Sequence, residues 1–418
     1  MKLPYIPRRF LFVFGTFFIS LFMYIDRACI SAAKDPITGD LGLNDNQMGW
    51  VLSAFALGYA LFQVPGGLMS DRFGPRKVLA GIISLWSLFT ALTGLVKSYT
   101  GMLIVRFLFG ASEAGAFPGI SRAVYSWIPM KERGIVQGIN FSGSRVGAAL
   151  AMPLVAGMIT ALGWRASFVV LGIAGIVFAL LWYILFRNKP EDQKGLSEKE
   201  RAYILASRQQ PEAIKPPPLT AGKLFGSGNM WLAMLQYFGS NFTFFFALTW
   251  LLPHLKETYE LDLMQAGLYA AAPFVAGALG NWVSGSVVDA IYRAGKWKLS
   301  RKVPAIIGFS LMIIGLLGSL SMDTAISAVA MLSLAIFGAD MTLSPSWSFC
   351  IDIGKENSGS VSGTMNMAGN IGSFITALAF PYLMSWTGNV TTFFYVAAGL
   401  GVVSVFAWIR MNPEKSLS

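Results

Sequence analysis

Charge is what this sequence has least of. Only 13% of its 418 residues are Asp, Glu, Lys or Arg, against 55% that are hydrophobic. Soluble globular chains carry about 25% charged residues, so the deficit excludes an ordinary water-soluble domain. Cysteine is equally scarce. Cys29 and Cys350 are the only two, and both fall in apolar stretches, which argues against a structural disulfide and against a cysteine-built metal site. No Walker-type loop is present, so ATP is not the energy source. The single histidine, His254 in "WLLPHLK", sits at the outer end of an apolar run and reads as an interfacial residue. The first apolar run is too long for a signal-peptide core, and no small-residue cleavage site follows it. It reads as a retained helix.

What the chain does have is long apolar runs, about twelve of them. They lie near 10–32, 47–69, 78–96, 101–127, 135–162, 164–186, 230–254, 264–287, 303–321, 325–350, 361–385 and 390–409. Each is long enough to cross a bilayer as a helix. Backbone polar groups in lipid must be satisfied within the segment, which makes these runs helices; a closed barrel would show short alternating segments instead. The expected class is an all-α integral membrane protein. Basic residues fall mostly in loops on the side of the N-terminus: Lys2, Arg8, Arg9, Arg72, Arg76, Lys77, Lys131, Arg133, then Arg293 to Lys302, Lys355, Arg410 and Lys415. The other side has Lys34, Lys97, Arg165 and Lys256. Both termini are therefore expected in the cytoplasm. The net charge of +11 is scattered over short loops rather than gathered in a patch, which excludes a nucleic-acid role.

One segment interrupts the pattern. Residues 187–228 are charged and Pro-rich; "SEKERAYILASRQ" fits a short amphipathic helix, and "KPPPL" a stiff linker. It splits the chain into a first six-helix bundle, 1–186, and a second, 229–418. The halves repeat each other. "GGLMSDRFGPRK" follows the second run and "SGSVVDAIYRAGK" the eighth, with Asp71 and Asp289 218 positions apart. "GASEAGAFP" answers "GADMTLSP", and "GINFSGSRVG" answers "GTMNMAGNIG". Parallel six-helix repeats around a midplane site describe an alternating-access transporter.

Six charges lie well inside runs: Asp26, Arg27, Arg106, Glu113, Arg145 and Asp340. A charge at mid-bilayer costs about 2.5–3.5 kcal/mol on insertion scales and marks a functional site by default. Asp26 and Arg27 point about 100° apart on a helix, so each needs a partner elsewhere. Arg106 and Glu113 are two turns apart and share a face. One reading is a static network holding helices together. The other, which the surplus of charges favours, is that arginines hold an anion while acids carry protons. Arginine offers a permanent, two-pronged donor to a carboxylate, and a carboxyl changes protonation with its surroundings. Asp26 and Glu113 are the proton candidates. Arg145 either reads a second carboxylate or pairs with Asp340 or Glu113. Tyr237 and Asn241 are further candidates for the site.

The "GxxxDRxGxRK" loop with its weaker second copy resembles the signature of the major facilitator superfamily. "YxDRxxIS", "SAFALGYALFQVPGG" and "RFLFGASEAGAFPGISR" are similar to its anion:cation symporter family, which includes bacterial hexuronate, galactonate and glucarate transporters and animal sialin and vesicular glutamate transporters. The resemblance implies twelve transmembrane helices in two pseudo-symmetric bundles, the major facilitator fold. It implies anion binding or its coupling for Arg27 and Arg106, proton coupling for Asp26 and Glu113, and a substrate-lining place for Tyr59. It places Ser344, Ser346, Trp347 and Asn366 where sugar-acid members bind hydroxyls. It gives Asp71, Arg72, Arg76 and Asp289 a gating role on the cytoplasmic side. Arg145 stands where sugar-acid members commonly have an uncharged residue, and Asp340 is an added acid. The function expected is proton-coupled uptake of a small organic anion, foremost a sugar acid, by a monomer in an inner or plasma membrane. It is not an enzyme, and it needs no cofactor or metal. The alternatives are an anion exchanger or facilitator without protons, efflux of a drug-like cation, against which the arginines argue, and a membrane sensor, for which the loop and tails leave no room.

Overall fold

Helices are the only regular structure that hydrophobic runs of this length can take in lipid, and the structure consists of them. The computed structural model describes residues 7–210, 219–261 and 263–417; Lys2 and most of "KPPPL" lie outside them. The first half contains α1 (Arg8–Ala32), α2 (Lys34–Leu41), α3 (Asp45–Phe73), α4 (Pro75–Thr93), α5 (Tyr99–Glu113), α6 (Ala116–Trp127) and α7 (Arg133–Leu185). The connecting segment carries α8 (Glu198–Ser207) and α9 (Ala221–Phe225). The second half contains α10 (Gly228–Thr249), α11 (Leu251–Thr258), α12 (Leu263–Arg293), α13 (Trp297–Ser319), α14 (Ala325–Met341), α15 (Leu343–Gly354), α16 (Ser358–Thr387) and α17 (Thr391–Arg410).

These elements make twelve crossings. The 53 residues of α7 are two antiparallel crossings joined at Gly163, whose φ of 76° only glycine adopts without strain. Two other crossings are each broken in the middle. Pro118 has no N–H for the carbonyl of Ala114, and α5 gives way to α6 there. Pro345 does the same to Met341, between α14 and α15, and the freed Met341 carbonyl accepts the Ser284 hydroxyl instead. Nine described stretches are apolar and long enough to span a membrane, one of them covering two crossings. The seventh crossing is absent from that set because it carries polar side chains, Gln236 and Asn241 on α10 among them. Large apolar side chains face outward along the other helices, Leu61, Ile173, Val275 and Phe406 among them. In water such a surface would be an aggregation hazard; against lipid it is the solvated face.

The two halves meet through pairs of helices, α3 with α16 and α7 with α12. Here the backbones touch. A methyl group on Gly67 would overlap the Gly359 carbonyl, and one on Gly134 would stand 2.6 Å from the Gly285 oxygen. Each crossing point is sealed by an acid. Asp71 accepts the N–H groups of Gly359 (2.9 Å) and Ser360 (2.7 Å), at the start of α16. Asp289 accepts those of Gly134 (2.8 Å) and Ile135 (2.9 Å), at the start of α7. A carboxylate suits a helix N-terminus because its first amides have no partner in the helix. Both seals lie on the side where α1 starts and α17 ends. Among the described residues, every hydrogen bond between the halves lies at or on the terminal side of the Arg145–Asp340 level. The structure is thus closed on that side. Gly67→Ala is expected to pry it open. A cysteine placed at Gln63, buried beneath the seal, should then react several-fold faster with a membrane-impermeant thiol reagent. An unchanged rate would mean that the glycine contact does not hold the closed state.

The connecting segment is tied into this closed face. α8, capped by Ser197, places Glu200 against the first amides of α1 (3.0 Å each to Arg8 and Arg9). Gln209 then reaches both halves, accepting from Arg133 (2.9 Å) and donating to the Asp352 carbonyl (2.9 Å). Beneath it, Asp352 is bonded by Arg133 of the first half (2.5 Å) and Arg301 of the second (2.8 Å), all three fully enclosed.

Candidate functional site

A cavity opens between the halves above the closed face. Its walls come from α1, α3, α6, α7, α10, α14, α15 and α16, and they include Arg27, Tyr59, Arg145, Tyr237, Asn241 and Trp347. Its floor is aromatic and crosses the interface. Phe117 stacks on Phe141 at 5.1 Å, and both rings pack on Trp347 of the other half (5.6 and 5.3 Å). The Trp347 indole N–H donates to the Tyr237 hydroxyl (2.9 Å), which fixes both rings. Asn366 donates to Gln63 across the interface (2.9 Å) and also faces the cavity.

The charges enter this cavity as pairs. Arg27, near the end of α1, donates through Nε to both oxygens of Glu113 (3.1 and 3.0 Å). Its guanidinium lies over the rings of Tyr59 (4.3 Å), Tyr24 (5.0 Å) and Phe55 (5.2 Å). Its Nη2 is enclosed, without a hydrogen-bond partner among the described residues, while 20% of the side chain as a whole is exposed. Glu113 itself is wholly buried, on the last turn of α5 just before the helix breaks. Arg145 makes a two-pronged pair with Asp340, Nε to Oδ2 at 2.9 Å and Nη2 to Oδ1 at 2.6 Å. This pair joins α7 of the first half to α14 of the second. Asn281 steadies the acid (3.2 Å), and Phe244 lies under the guanidinium (4.0 Å). Of the two partners weighed for Arg145 from sequence, Asp340 is the one it takes.

Asp26 stands behind the cavity. It is buried, does not line the space, and lies within electrostatic reach of Glu113 and Arg106. Arg106 also departs from its expected place. It is buried against the rings of Phe109 (4.7 Å) and Phe55 (5.1 Å) and does not reach the cavity wall. It shares a helix face with Glu113 as its spacing requires, but Arg27 occupies the cavity side of that acid. Ser344 and Ser346 are likewise withdrawn. Ser346 spends its hydroxyl on Thr342 and Gln236 (2.6 and 3.1 Å), and Ser344 is buried in the packing of α15 near Gly138. Helical phase decides this: Trp347 faces the cavity, so its neighbours at 344 and 346 turn toward other helices. Tyr59, Tyr237, Asn241, Trp347 and Asn366 do line it. Sequence reasoning passed over Tyr24, Phe244, Ser240 and Asn370, which also line it; each is an ordinary helix residue with no charge to mark it.

The four gating candidates separate. Asp71 and Asp289 cross between the halves, as described above. Arg76 does not reach the second half; it is bonded to the Tyr183 carbonyl (2.8 Å) and, through its amide, to Asn188 at the start of the connecting segment (2.9 Å). Arg72 is exposed beside the Phe73 ring. Neither arginine meets an acid of the other half; Arg122, which sequence reasoning did not single out, approaches Asp71 at 3.9 Å. His254 is remote from the cavity, bonded to Thr258 (3.1 Å) and ringed by Phe246, Phe380 and Phe394. Among the described residues no cluster of His, Cys, Asp or Glu could hold a metal ion.

Known proteins share this chain's sequence and architecture. The family model described as the Major Facilitator Superfamily matches residues 16–377. The probable sulfoacetate transporter of Cupriavidus necator is 35% identical over 93% of this chain and 90% of its own length. The probable L-galactonate transporter of Escherichia coli is 33% identical over 91% and 83%, and the hexuronate transporter of Bacillus subtilis 31% identical over 98% and 94%. Among solved structures, the proton:xylose symporter of the same superfamily, bound to 6-bromo-6-deoxy-D-glucose, superposes with a TM-score of 0.73 at 16% identity, covering 97% of this chain and 96% of that one.

Proposed function

This chain belongs to the major facilitator superfamily, a family of transporters rather than enzymes, and on that premise we propose that it takes up a small organic anion together with protons. The observation that carries this reading is Arg27. It lines the cavity between the two halves, with 20% of its side chain exposed, while its Nε grips an enclosed carboxylate that can carry a proton. An anion settling on Arg27 takes over part of the cation that balances Glu113. Glu113 then accepts a proton, and the buried charge falls back toward neutrality. Asp26 is the second proton carrier in this scheme, with Arg106 behind it as a balancing charge. Relieved of net charge, residues 1–186 and 229–418 rock as units, parting the Asp71 and Asp289 seals and closing the cavity on the other side.

The substrate class proposed is a sugar acid, a hexonate, hexuronate or aldarate. Relatives named as galactonate, hexuronate and galactarate/glucarate transporters support it, and so do the amides of Asn241, Asn366 and Asn370 on the cavity wall, which suit hydroxyls. The chain would work as a monomer in the inner membrane with both termini in the cytoplasm, so the closed face described above is the cytoplasmic one. A second reading is exchange or facilitated diffusion of an anion without protons. The complete pairing of Glu113 and Asp340 with arginines favours it, because paired acids can be static.

Proteoliposomes with a trapped pH dye separate the two. With no imposed gradient, external galactonate, glucuronate or glucarate is expected to acidify the interior. Exchange of labelled substrate without acidification would establish the second reading.

A further inference from the structure

The cavity holds two cations in one manner. Glu113 ends α5 beside the break that Pro118 imposes, and grips Arg27. Asp340 lies in the last turn of α14 beside the break ahead of Pro345, and grips Arg145. "GASEAGAFP" and "GADMTLSP" are counterparts in the internal repeat, so the two acids occupy matching places. Both guanidiniums line the same space. Each has one edge engaged by its acid and another left over. For Arg27 the pair takes Nε alone, and 20% of the side chain stays exposed in the cavity wall; for Arg145 the pair takes Nε and Nη2 and leaves Nη1 outside it.

We propose that the anion carried has two acid groups, one received by Arg27 and the other by Arg145, with Asp340 fixing the Arg145 fork in the empty carrier. This rests on the anion-carrier reading and narrows it. A planar guanidinium with one edge pinned by a carboxylate presents its remaining N–H groups in a fixed direction. A substrate with a single acid group satisfies one such edge and leaves the other cation facing its uncharged end. A pair serving only to join α7 to α14 could lie anywhere along their interface. This one faces the cavity, and Phe244 under the guanidinium holds the fork flat against the wall.

The test uses pairs of anions matched except for the second acid group: galactarate against galactonate, and sulfoacetate against ethanesulfonate. Uptake of each is measured in proteoliposomes of the unsubstituted protein. The dianion of at least one pair is expected to be preferred by about tenfold to a hundredfold in kcat/KM, the range for a hydrogen bond to a charged group. Arg145→Gln combined with Asp340→Asn removes both charges together, and the preference should fall to near one. Arg145→Lys keeps a cation and should keep most of it, which tells a lost recognition site from a damaged fold. Monoanions carried as well as their matched dianions by the unsubstituted protein would overturn the proposal and leave the anion-carrier reading standing. A preference that survives in the double variant would overturn the role of Arg145. Transport of no anion in either set, nor of any other organic acid, would remove the reading beneath it.

Discussion

Glu113→Gln is expected to give a carrier that exchanges labelled substrate across the membrane but does not concentrate it. The amide keeps the size of the side chain and one acceptor oxygen for the Arg27 Nε, now 3.0–3.1 Å away. It removes the negative charge and the site a proton can occupy. A symporter draws its gradient from a group that alternates between charged and neutral as substrate binds and leaves; a permanently neutral group lets the halves rock in either direction at will. Accumulation should therefore vanish. Exchange should persist, with a lower KM, because Arg27 no longer shares its charge with an acid and the incoming anion has it alone. Accumulation that survives in this variant would show that Glu113 is not the coupling site and would shift that role to Asp26.

The second large effect concerns stability. Asp352 is the one acid bonded by both Arg133 and Arg301, and all three side chains are inaccessible to solvent. Trp297 also donates to it (3.0 Å). Asp352→Ala would strand two enclosed guanidiniums, and removing one partner of a buried pair costs about 3–5 kcal/mol. The variant is expected to lose its fold at a markedly lower temperature in detergent, by thermal inactivation or tryptophan fluorescence. Asp352→Asn, which still accepts hydrogen bonds, should fall between. An Asp352→Ala protein as heat-resistant as the unsubstituted one would mean that water reaches the two arginines and the cluster is not sealed.

The sequence shows some of this plainly and hides the rest for physical reasons. Asp26, Arg27, Glu113, Arg145 and Asp340 stand out because a charge inside an apolar run is rare and expensive. The acids of the two seals, Asp71 and Asp289, stand out through the Gly-x-x-x-Asp repeat, while their gating role, like that of Arg72 and Arg76, came from the resemblance alone. The cluster around Asp352 does not stand out. Arg133 and Arg301 sit near helix ends, where basic residues are usually read as anchors on the cytoplasmic side, and only folding shows them turned inward onto one acid. Arg106, Ser344 and Ser346 were placed in the site by resemblance, yet the structure turns them elsewhere. A composition pattern gives a helix its length and class, while the face each residue shows to a cavity depends on helix rotation set by packing. The breaks at Pro118 and Pro345 alter that rotation midway through the fourth and tenth crossings.

The two seals also bear on symmetry. Asp71, on the second crossing of the first half, caps the fifth crossing of the second. Asp289, on the second crossing of the second half, caps the fifth crossing of the first. The touching glycines follow the same exchange. Each half thus offers an acid and accepts one, which is the reciprocity of a two-fold interface between identical partners. The closure is thus one device used twice, and Gln209 of the connecting segment, bonded to Arg133 of one half and to the Asp352 carbonyl of the other, adds a tie that has no counterpart in that symmetry.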